Sequence, residues 1–153
     1  MIFVTTGTCK QFDRLIRHID SIAPQINEKI IAQIGNSTHT PQNIEWGRFY
    51  PSIDSLIDKA RIVISHGGFS CLEIIKSETP LIVVPRQKQY AEHFDDHQVE
   101  FAELLSKKYN TPYFLKTTEI NAELIYDLQL KQKMNQEPLE LFRSNIISIL
   151  KER

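Results

Sequence analysis

Residues 61–85 read RIVISHGGFSCLEIIKSETPLIVVP, and this stretch decides the fold. Two short runs rich in β-branched residues, 61–64 and 81–84, enclose a Gly-Gly turn and a segment of helical length. This pattern predicts a strand, a loop, a helix and a second strand, in that order. The two glycines let a ligand approach the backbone closely, and a helix that begins near Ser70 directs unpaired N–H groups at the same place. Such a mouth favours an anion, most often a phosphate or diphosphate.

The residues around this turn predict a nucleotide diphosphate site. Gly67, Gly68 and Ser70 form the mouth, and Glu73, three residues into the helix, supplies a carboxylate that suits ribose hydroxyls. Two simpler interpretations stay open, because a glycine pair is common in α/β turns and Ser70 could serve only as the helix N-cap. His66 either lines the pocket or shapes the loop.

The same alternation of strand and helix extends in both directions. The predicted strands are 2–5, 29–34, 44–49, 61–65 and 81–84, with a short further strand at 113–115. The predicted helices are 11–22, 51–58, 70–77, 94–107 and 119–128. A polar linker at 129–137 then precedes a C-terminal helix at about 138–151. Strands that alternate with helices predict an α/β fold with a Rossmann-like, doubly wound parallel sheet in one domain, residues 1–153.

Three loops leave the carboxyl ends of the predicted strands. They are the Thr6-Gly7-Thr8 loop, the loop at 65–70 and the segment 85–98. Ligands of doubly wound sheets bind at this edge, near the point where the strand order reverses. We therefore expect the three loops to converge on one crevice.

Composition limits the class of protein. The chain has 153 residues, 24% of them charged, with a net charge of −1, so one domain is expected and nucleic acid is not an expected partner. No apolar run approaches the roughly 20 residues of a membrane span, and no signal peptide is recognised, which predicts a soluble, intracellular protein. Cys9 and Cys71 are expected to be buried or half-buried thiols in a reducing compartment. No residue spacing indicates a metal site, a cofactor or a nucleophile triad.

The motif His66-Gly67-Gly68-Phe69-Ser70 with Glu73, followed by Pro80, Pro85 and His97-Gln98 ahead of Ala102, resembles the donor-binding half of GT-B glycosyltransferases. In particular it is similar to the glycosyltransferase family 28 C-terminal domain, which includes the donor half of the peptidoglycan N-acetylglucosaminyltransferase. The opening residues 3–8, with Phe12 and Leu15, resemble the PssE- and EpsF-type soluble subunits of two-component exopolysaccharide transferases. The soluble subunit of the dolichol-linked chitobiose-forming transferase is similar too. The resemblance covers about residues 1–115.

The resemblance implies a role for each loop. Gly67, Gly68 and Ser70 would face the diphosphate, and Glu73 would hold the ribose. The corresponding first loop of two-domain relatives faces the donor phosphates, which implies the same for Gly7 and Thr8, although a turn that needs glycine is the simpler interpretation.

The remaining implied contacts concern the base and the sugar. Phe49 and Tyr50 lie where the family binds uracil, although an aromatic pair at a strand end is more often core or rim. The matches of His97 and Gln98 reach the donor sugar, although a solvated helix start is the ordinary explanation. Phe101 stands where the peptidoglycan enzyme has asparagine. Arg86 and Lys88 could offset the diphosphate charge or simply be solvated.

The length of the chain corresponds to half an enzyme, because each half of a GT-B transferase takes about 150 residues. The expected function is the donor-binding catalytic subunit of a two-component glycosyltransferase, active with a membrane-anchored, acceptor-binding subunit. It would move galactose, glucose or N-acetylglucosamine from a UDP-sugar to a lipid-linked acceptor at the cytoplasmic face of the membrane. The family implies an inverting reaction without metal, whose general base is expected on the partner, so no catalytic residue is assigned here. The alternatives are a non-catalytic nucleotide-binding or scaffold subunit and, less favoured, a UDP-sugar epimerase.

Overall fold

The computed structural model describes residues 1–128, in which five strands alternate with five helices. The strands are β1 (Ile2–Thr5), β2 (Ile30–Gln33), β3 (Glu45–Gly47), β4 (Ile62–Ser65) and β5 (Leu81–Val83). The helices are α1 (Asp13–Ile22), α2 (Asp54–Lys59), α3 (Ser70–Lys76), α4 (His97–Tyr109) and α5 (Ala122–Asp127). Short 3-10 turns cover Ala23–Gln25, Lys88–Tyr90 and Thr117–Glu119. The predicted linker at 129–137 and the helix at about 138–151 lie outside the described residues.

All five strands are parallel and stand in the order β3-β2-β1-β4-β5. Strand β1 is central, and Ile2 pairs with Ile30 of β2 on one side and with Ile62 of β4 on the other. From the edge strand β3 the chain returns to the middle and adds β4 beside β1. The strand order therefore reverses between β1 and β4, which confirms the Rossmann-like, doubly wound prediction.

Helices cover both faces of the sheet. Side chains alternate along each strand, so Ile2 and Val4 of β1 pack on one side with α1 and α5, whereas Phe3 packs on the other with α2, α3 and α4. Every residue of β1, β2 and β4 is buried. This double cover explains why these strands read as continuous apolar runs. No helix of the described part combines the length and apolar character needed to cross a bilayer.

Local hydrogen bonds place several boundaries inside the predicted ones. Helix α4 starts at residue 97 rather than 94 because the Asp95 carboxylate accepts the His97 N–H at 3.2 Å, and Asn110, with φ +54°, ends it. Helix α5 starts at 122 rather than 119 because the Asn121 side chain accepts the Leu124 N–H at 2.8 Å.

The predicted strand at 113–115 is wrong in extent. Tyr113 forms a single parallel bridge with Val83, and the preceding Pro112 has no N–H with which to extend the ladder.

One ionic network ties together the amino ends of β1, β2 and β4. The N-terminal ammonium of Met1 lies 3.1 Å from Oε2 of Glu28, and Nε of Arg61 donates to Oε1 of Glu28 at 2.9 Å. The Arg61 guanidinium also donates to the carbonyl of Ile125 in α5 at 2.9 Å. The hydrogen bonds from Arg61 are the main reason that the pKa of Glu28 lies below its usual value.

Candidate functional site

A cavity of about 560 Å³ opens where the strand order reverses, at the carboxyl ends of β1 and β4. The first loop contributes Gly7, Thr8, Cys9 and Lys10 to its lining. The loop after β4 contributes His66, Gly68, Phe69 and Ser70. The segment after β5 contributes Arg86, His93, Phe94 and Gln98. The three loops that were expected to converge on one crevice therefore do so.

His66 occupies the centre of this cavity wall, between two glycines. Gly7 has φ +69°, and a Cβ there would lie 2.5 Å from Cε1 of His66; a Cβ on Gly68 would collide with the same ring. His66 is 9% exposed, and its Nδ1 is buried without a hydrogen-bond partner among the described residues. Burial, and then the charge of Arg86, lowers the pKa of His66 to about 3. His66 thus both lines the cavity and shapes the loop, as a neutral imidazole.

Ser70 presents a second unpartnered polar atom. Helix α3 begins at Ser70 itself, after Phe69, and no side chain caps it. The interpretation of Ser70 as an N-cap is therefore wrong. Its Oγ is buried, lines the cavity and has no hydrogen-bond partner among residues 1–128. Since buried hydroxyls are almost always hydrogen-bonded, His66 and Ser70 mark this wall as a place for a polar ligand.

A smaller cavity of about 230 Å³ shares part of this lining and brings in Gly67, His97 and Phe101. Gly67 is required by close approach, because a Cβ there would lie 2.7 Å from the backbone oxygen of Gln98. Oε1 of Gln98 accepts the Arg86 N–H at 3.0 Å, which fixes the amide beside both cavities. The structure thus places His97 and Gln98 next to the glycine turn.

Arg86 is buried, so the interpretation of this residue as a solvated surface cation is wrong. It is 2% exposed, and its guanidinium donates to three carbonyls of the first loop: those of Thr6 and Lys10 at 2.6 Å and that of Gln11 at 3.2 Å. Burial lowers its pKa to about 10, which leaves it charged at neutral pH. Arg86 therefore brings positive charge to the cavity and ties the first loop to the segment after β5.

A second arginine holds that segment from below. Arg14 of α1 makes two parallel hydrogen bonds to the buried carboxylate of Glu92, at 2.8 and 2.9 Å, and donates to the carbonyl of Pro85 at 3.1 Å. Glu92 also accepts the Gln87 N–H at 3.1 Å. Sequence analysis did not identify this pair, because residues 78 positions apart carry no local signal.

Three predicted residues line neither cavity. Phe49 is half exposed after β3, and Tyr50 packs its ring over Gly47 and donates its N–H to Gln33 at 3.0 Å. Glu73 is exposed in the first turn of α3 and has interactions of its own. Of these, Tyr50 comes nearest, since its partner Gln33 lines the larger cavity.

Several lining residues were missed by sequence analysis. Lys10, with its ammonium 3.1 Å from the centre of the Phe94 ring, and His93 lie in loops without a motif. Their position directly after predicted strands is the signal that could have identified them. Cys71 is buried as expected, but Cys9 is exposed, because it lies in the loop that rims the cavity. In the described part of the chain, no three metal-ligating side chains form a cluster that could hold a metal ion.

Solved structures share this architecture. The glycosyltransferase SnogD from Streptomyces nogalater superposes with a TM-score of 0.61 at 16% identity, over 99% of this chain and 39% of its own. MurG from Acinetobacter baumannii superposes with a TM-score of 0.53 at 15% identity, over 95% of this chain and 40% of its own. The five-stranded parallel sheet with flanking helices matches the C-terminal, Rossmann-like half of a GT-B glycosyltransferase. At these identities the likeness establishes the fold alone.

Sequence relatives narrow the family. The human UDP-N-acetylglucosamine transferase subunit ALG13 is 36% identical over 123 residues, which is 70% of this chain. The mouse protein of the same name is 32% identical over 120 residues. This chain spans about a tenth of the length of these curated relatives. The glycosyltransferase family 28 C-terminal domain matches residues 1–150, and the chain is a member of that family.

Proposed function

We propose that this protein is the donor-binding catalytic subunit of a two-component glycosyltransferase. It would move galactose, glucose or N-acetylglucosamine from a UDP-sugar to a lipid-linked acceptor in polysaccharide biosynthesis, by an inverting reaction. The observation that carries the proposal is the cavity of about 560 Å³ at the reversal of strand order, whose wall holds two unpartnered polar atoms, Nδ1 of His66 and Oγ of Ser70. Its volume falls within the usual range of about 300–1,000 Å³ for small-molecule sites.

The diphosphate is assigned to the wall formed by the glycine turn. The Ser70 hydroxyl is free to donate to a phosphate oxygen, and neutral His66 can donate from its ring. The buried guanidinium of Arg86 adds an uncancelled field, because its hydrogen bonds go to neutral carbonyls. Hydrogen bonds to a charged group in such a site are stronger than those between neutral groups. Gly7, Thr8, Gly67 and Gly68 complete this contact with backbone.

The sugar and the nucleoside are assigned to either side of that wall. The smaller cavity of about 230 Å³ takes the sugar, with His97 and Gln98 as partners of its hydroxyls. Glu73 holds the ribose from the first turn of α3. Phe49 and Tyr50 flank the uracil, beside the Gln33 that lines the larger cavity. The printed name of the human relative, a UDP-N-acetylglucosamine transferase subunit, supports a uridine donor.

A partner subunit is proposed for the other half of the cleft. This chain matches 39–40% of the two structures compared, so the remainder of such a chain has no counterpart here. Phe69 and Phe94, 48% and 80% exposed, stand at the cavity mouth, where a second half would cover them. The partner would carry the membrane anchor and the lipid acceptor site, and would recruit this cytoplasmic chain to the inner face of the membrane.

Calorimetric titration of UDP tests the donor site. Glu73→Ala and Ser70→Ala are each expected to weaken UDP binding about tenfold, the effect of one hydrogen bond to a charged group. Two matched controls, Glu103→Ala on the exposed side of α4 and Ser77→Ala at the far end of α3, should leave the affinity unchanged. Adenosine diphosphate should bind more weakly than UDP. Equal affinities of all four variants for UDP would remove the site assignment.

A transfer assay separates catalysis from scaffolding. Radiolabelled UDP-galactose, UDP-glucose and UDP-N-acetylglucosamine are incubated with the protein and native membranes, and the lipid fraction is counted. Label should enter lipid only when the protein is present, and Glu73→Ala should reduce its incorporation. Normal incorporation with a variant that no longer binds UDP would instead favour the non-catalytic subunit.

A further inference from the structure

Asp95 joins two histidines at the sugar end of the site. Its Oδ1 lies 2.9 Å from Nδ1 of His93, and its Oδ2 lies 2.7 Å from Nδ1 of His97. Oδ1 also accepts the backbone N–H of His97 at 3.2 Å, which anchors the carboxylate to the start of α4. Burial alone would raise the pKa of Asp95, but the hydrogen bonds from His97 and His93 lower it overall, so the carboxylate is ionised at neutral pH.

His93 differs from His97 in position. It lines both the larger and the smaller cavity, whereas His97 lines only the smaller one. The side chain of His93 is 26% exposed, against 44% for His97. Because Asp95 occupies Nδ1 of His93, Nε2 is the ring nitrogen that remains for a ligand. A histidine oriented in this way by a carboxylate, with its second nitrogen directed to a cleft, is the usual arrangement of a general base.

We propose that His93 is the general base of the transfer reaction and that Asp95 positions it. This inference rests on the proposed function and deepens it, because the sequence led us to expect the base on the partner subunit. The acceptor hydroxyl attacks C1 of the donor sugar and forms the new C–O bond. Its proton passes to Nε2 of His93 as the bond between C1 and the diphosphate oxygen breaks, with the electron pair leaving on UDP. Asp95 stabilises the resulting imidazolium, which then releases the proton to solvent.

The junction of the two cavities is where this proton transfer has to occur. With the diphosphate on the glycine turn and the sugar in the smaller cavity, C1 lies between them, and His93 is on the lining that the cavities share. His66 also lines the larger cavity, but its pKa of about 3 makes it too weak a base to take a proton at neutral pH.

Another histidine supplies a matched control within the same chain. Nε2 of His39 lies 3.0 Å from Oδ2 of Asp20, so the pairing resembles that of His93 with Asp95. The His39 pair fastens the loop before β3, where Asp20 also accepts the N–H groups of Gln42 and Asn43. It lines neither of the two cavities described above. His39→Gln therefore removes a histidine–aspartate pair without touching the site.

The test compares donor binding and transfer in His93→Gln, Asp95→Asn and His39→Gln. The binding probe is UDP, measured by calorimetry. The transfer assay uses native membranes and the three radiolabelled UDP-sugars. His93→Gln should bind UDP within about threefold of the unsubstituted protein and transfer label at least about a hundredfold more slowly, the usual contribution of a general base. Asp95→Asn should slow transfer about tenfold, and His39→Gln should behave as the unsubstituted protein. His93→Ala with added imidazole should recover at least about tenfold of the lost rate.

The pH profile of transfer supplies a readout that a merely structural role would not move. The unsubstituted protein should lose activity toward acid as His93 is protonated. His93→Gln should lack this limb, and Asp95→Asn should shift it to lower pH because the imidazolium has lost its carboxylate. The other titratable or charged groups around His93 are His97 on its own segment, His66 after β4, Arg86 after β5 and Lys10 in the first loop.

Three results would overturn the proposal. The first is transfer by His93→Gln within threefold of the unsubstituted protein, or an unchanged acidic limb. The second is loss of UDP binding in His93→Gln together with transfer, in a variant whose thermal unfolding is unchanged, which would make His93 a donor-binding residue. The third is an unsubstituted protein that neither binds UDP nor transfers any of the three sugars, which would overturn the proposed function as well.

Discussion

The two ends of the same sheet treat their charged groups in opposite ways. At the amino ends of the strands, the ammonium of Met1, the carboxylate of Glu28 and the guanidinium of Arg61 neutralise one another within 3.1 Å. At the carboxyl ends, the guanidinium of Arg86 meets only neutral carbonyls of the first loop, and His66 has a buried nitrogen with no partner. One end stabilises the fold by itself, whereas the other holds polar groups whose partner has yet to arrive.

This difference indicates where the binding energy for a ligand is stored. A paired network has nothing further to gain from an anion, so the amino end should be indifferent to nucleotide. An uncancelled cation and unpartnered polar atoms gain most from an anion that brings its own acceptors. Substitutions at the two ends should therefore separate stability from binding.

Arg86→Met should have the largest effect. The change removes three hydrogen bonds to backbone carbonyls and leaves those carbonyls partly unsatisfied, so we expect a loss of about 3 kcal/mol in the free energy of unfolding. UDP affinity should fall by more than tenfold, because the first loop loses its anchor. Urea unfolding and calorimetry measure the two quantities. If Arg86→Met kept full UDP affinity, the carboxyl end would not be the charged partner of the ligand.

His66 predicts a pH dependence that belongs to the carboxyl end alone. Its pKa is about 3 in the folded protein and 6.5 as the reference value, so the unfolded chain binds more protons between these values. Stability should therefore be full above about pH 7 and fall with acidification, by about 2 kcal/mol between pH 7.5 and pH 5.

His66→Gln should flatten this part of the stability profile, and His18→Gln, on the far side of α1, should not. Urea unfolding at half-unit steps of pH measures the slope. A profile of the unsubstituted protein that is flat over this interval would show that His66 is not held neutral by the fold.

Glu28→Gln should have the smallest effect and should spare binding. The pKa of Glu28 is depressed by Arg61, so its contribution is present above the ordinary carboxyl pKa and is lost as the pH falls through the folded value. We expect a loss of about 1 kcal/mol at pH 7, and a smaller difference from the unsubstituted protein near pH 3. UDP affinity at pH 7 should be unchanged. A weakened affinity would connect the two ends of the sheet, contrary to the comparison.

The sequence predicted the carboxyl end well wherever a pattern was local. Strands at 2–5 and 61–65 alternate between two buried faces, and Gly67, Gly68 and Ser70 follow the second one directly, so fold and glycine turn could both be inferred. Arg86 was misjudged because its partners in the first loop are 75 to 80 residues away. The pairing of Arg14 with Glu92 and the position of His93 likewise depend on how the loops pack. Such contacts leave no periodicity in the chain.

Cys9 gives the protein a chemical handle. The chain contains two cysteines, and burial raises the pKa of Cys71 to about 12, so that thiol stays protonated and out of reach of reagents. Cys9 is exposed on the rim of the larger cavity. A fluorescent maleimide should therefore attach to a single position without any engineering. The natural sequence thus carries its own reporter, whose emission and rate of labelling can follow the filling of the pocket in real time.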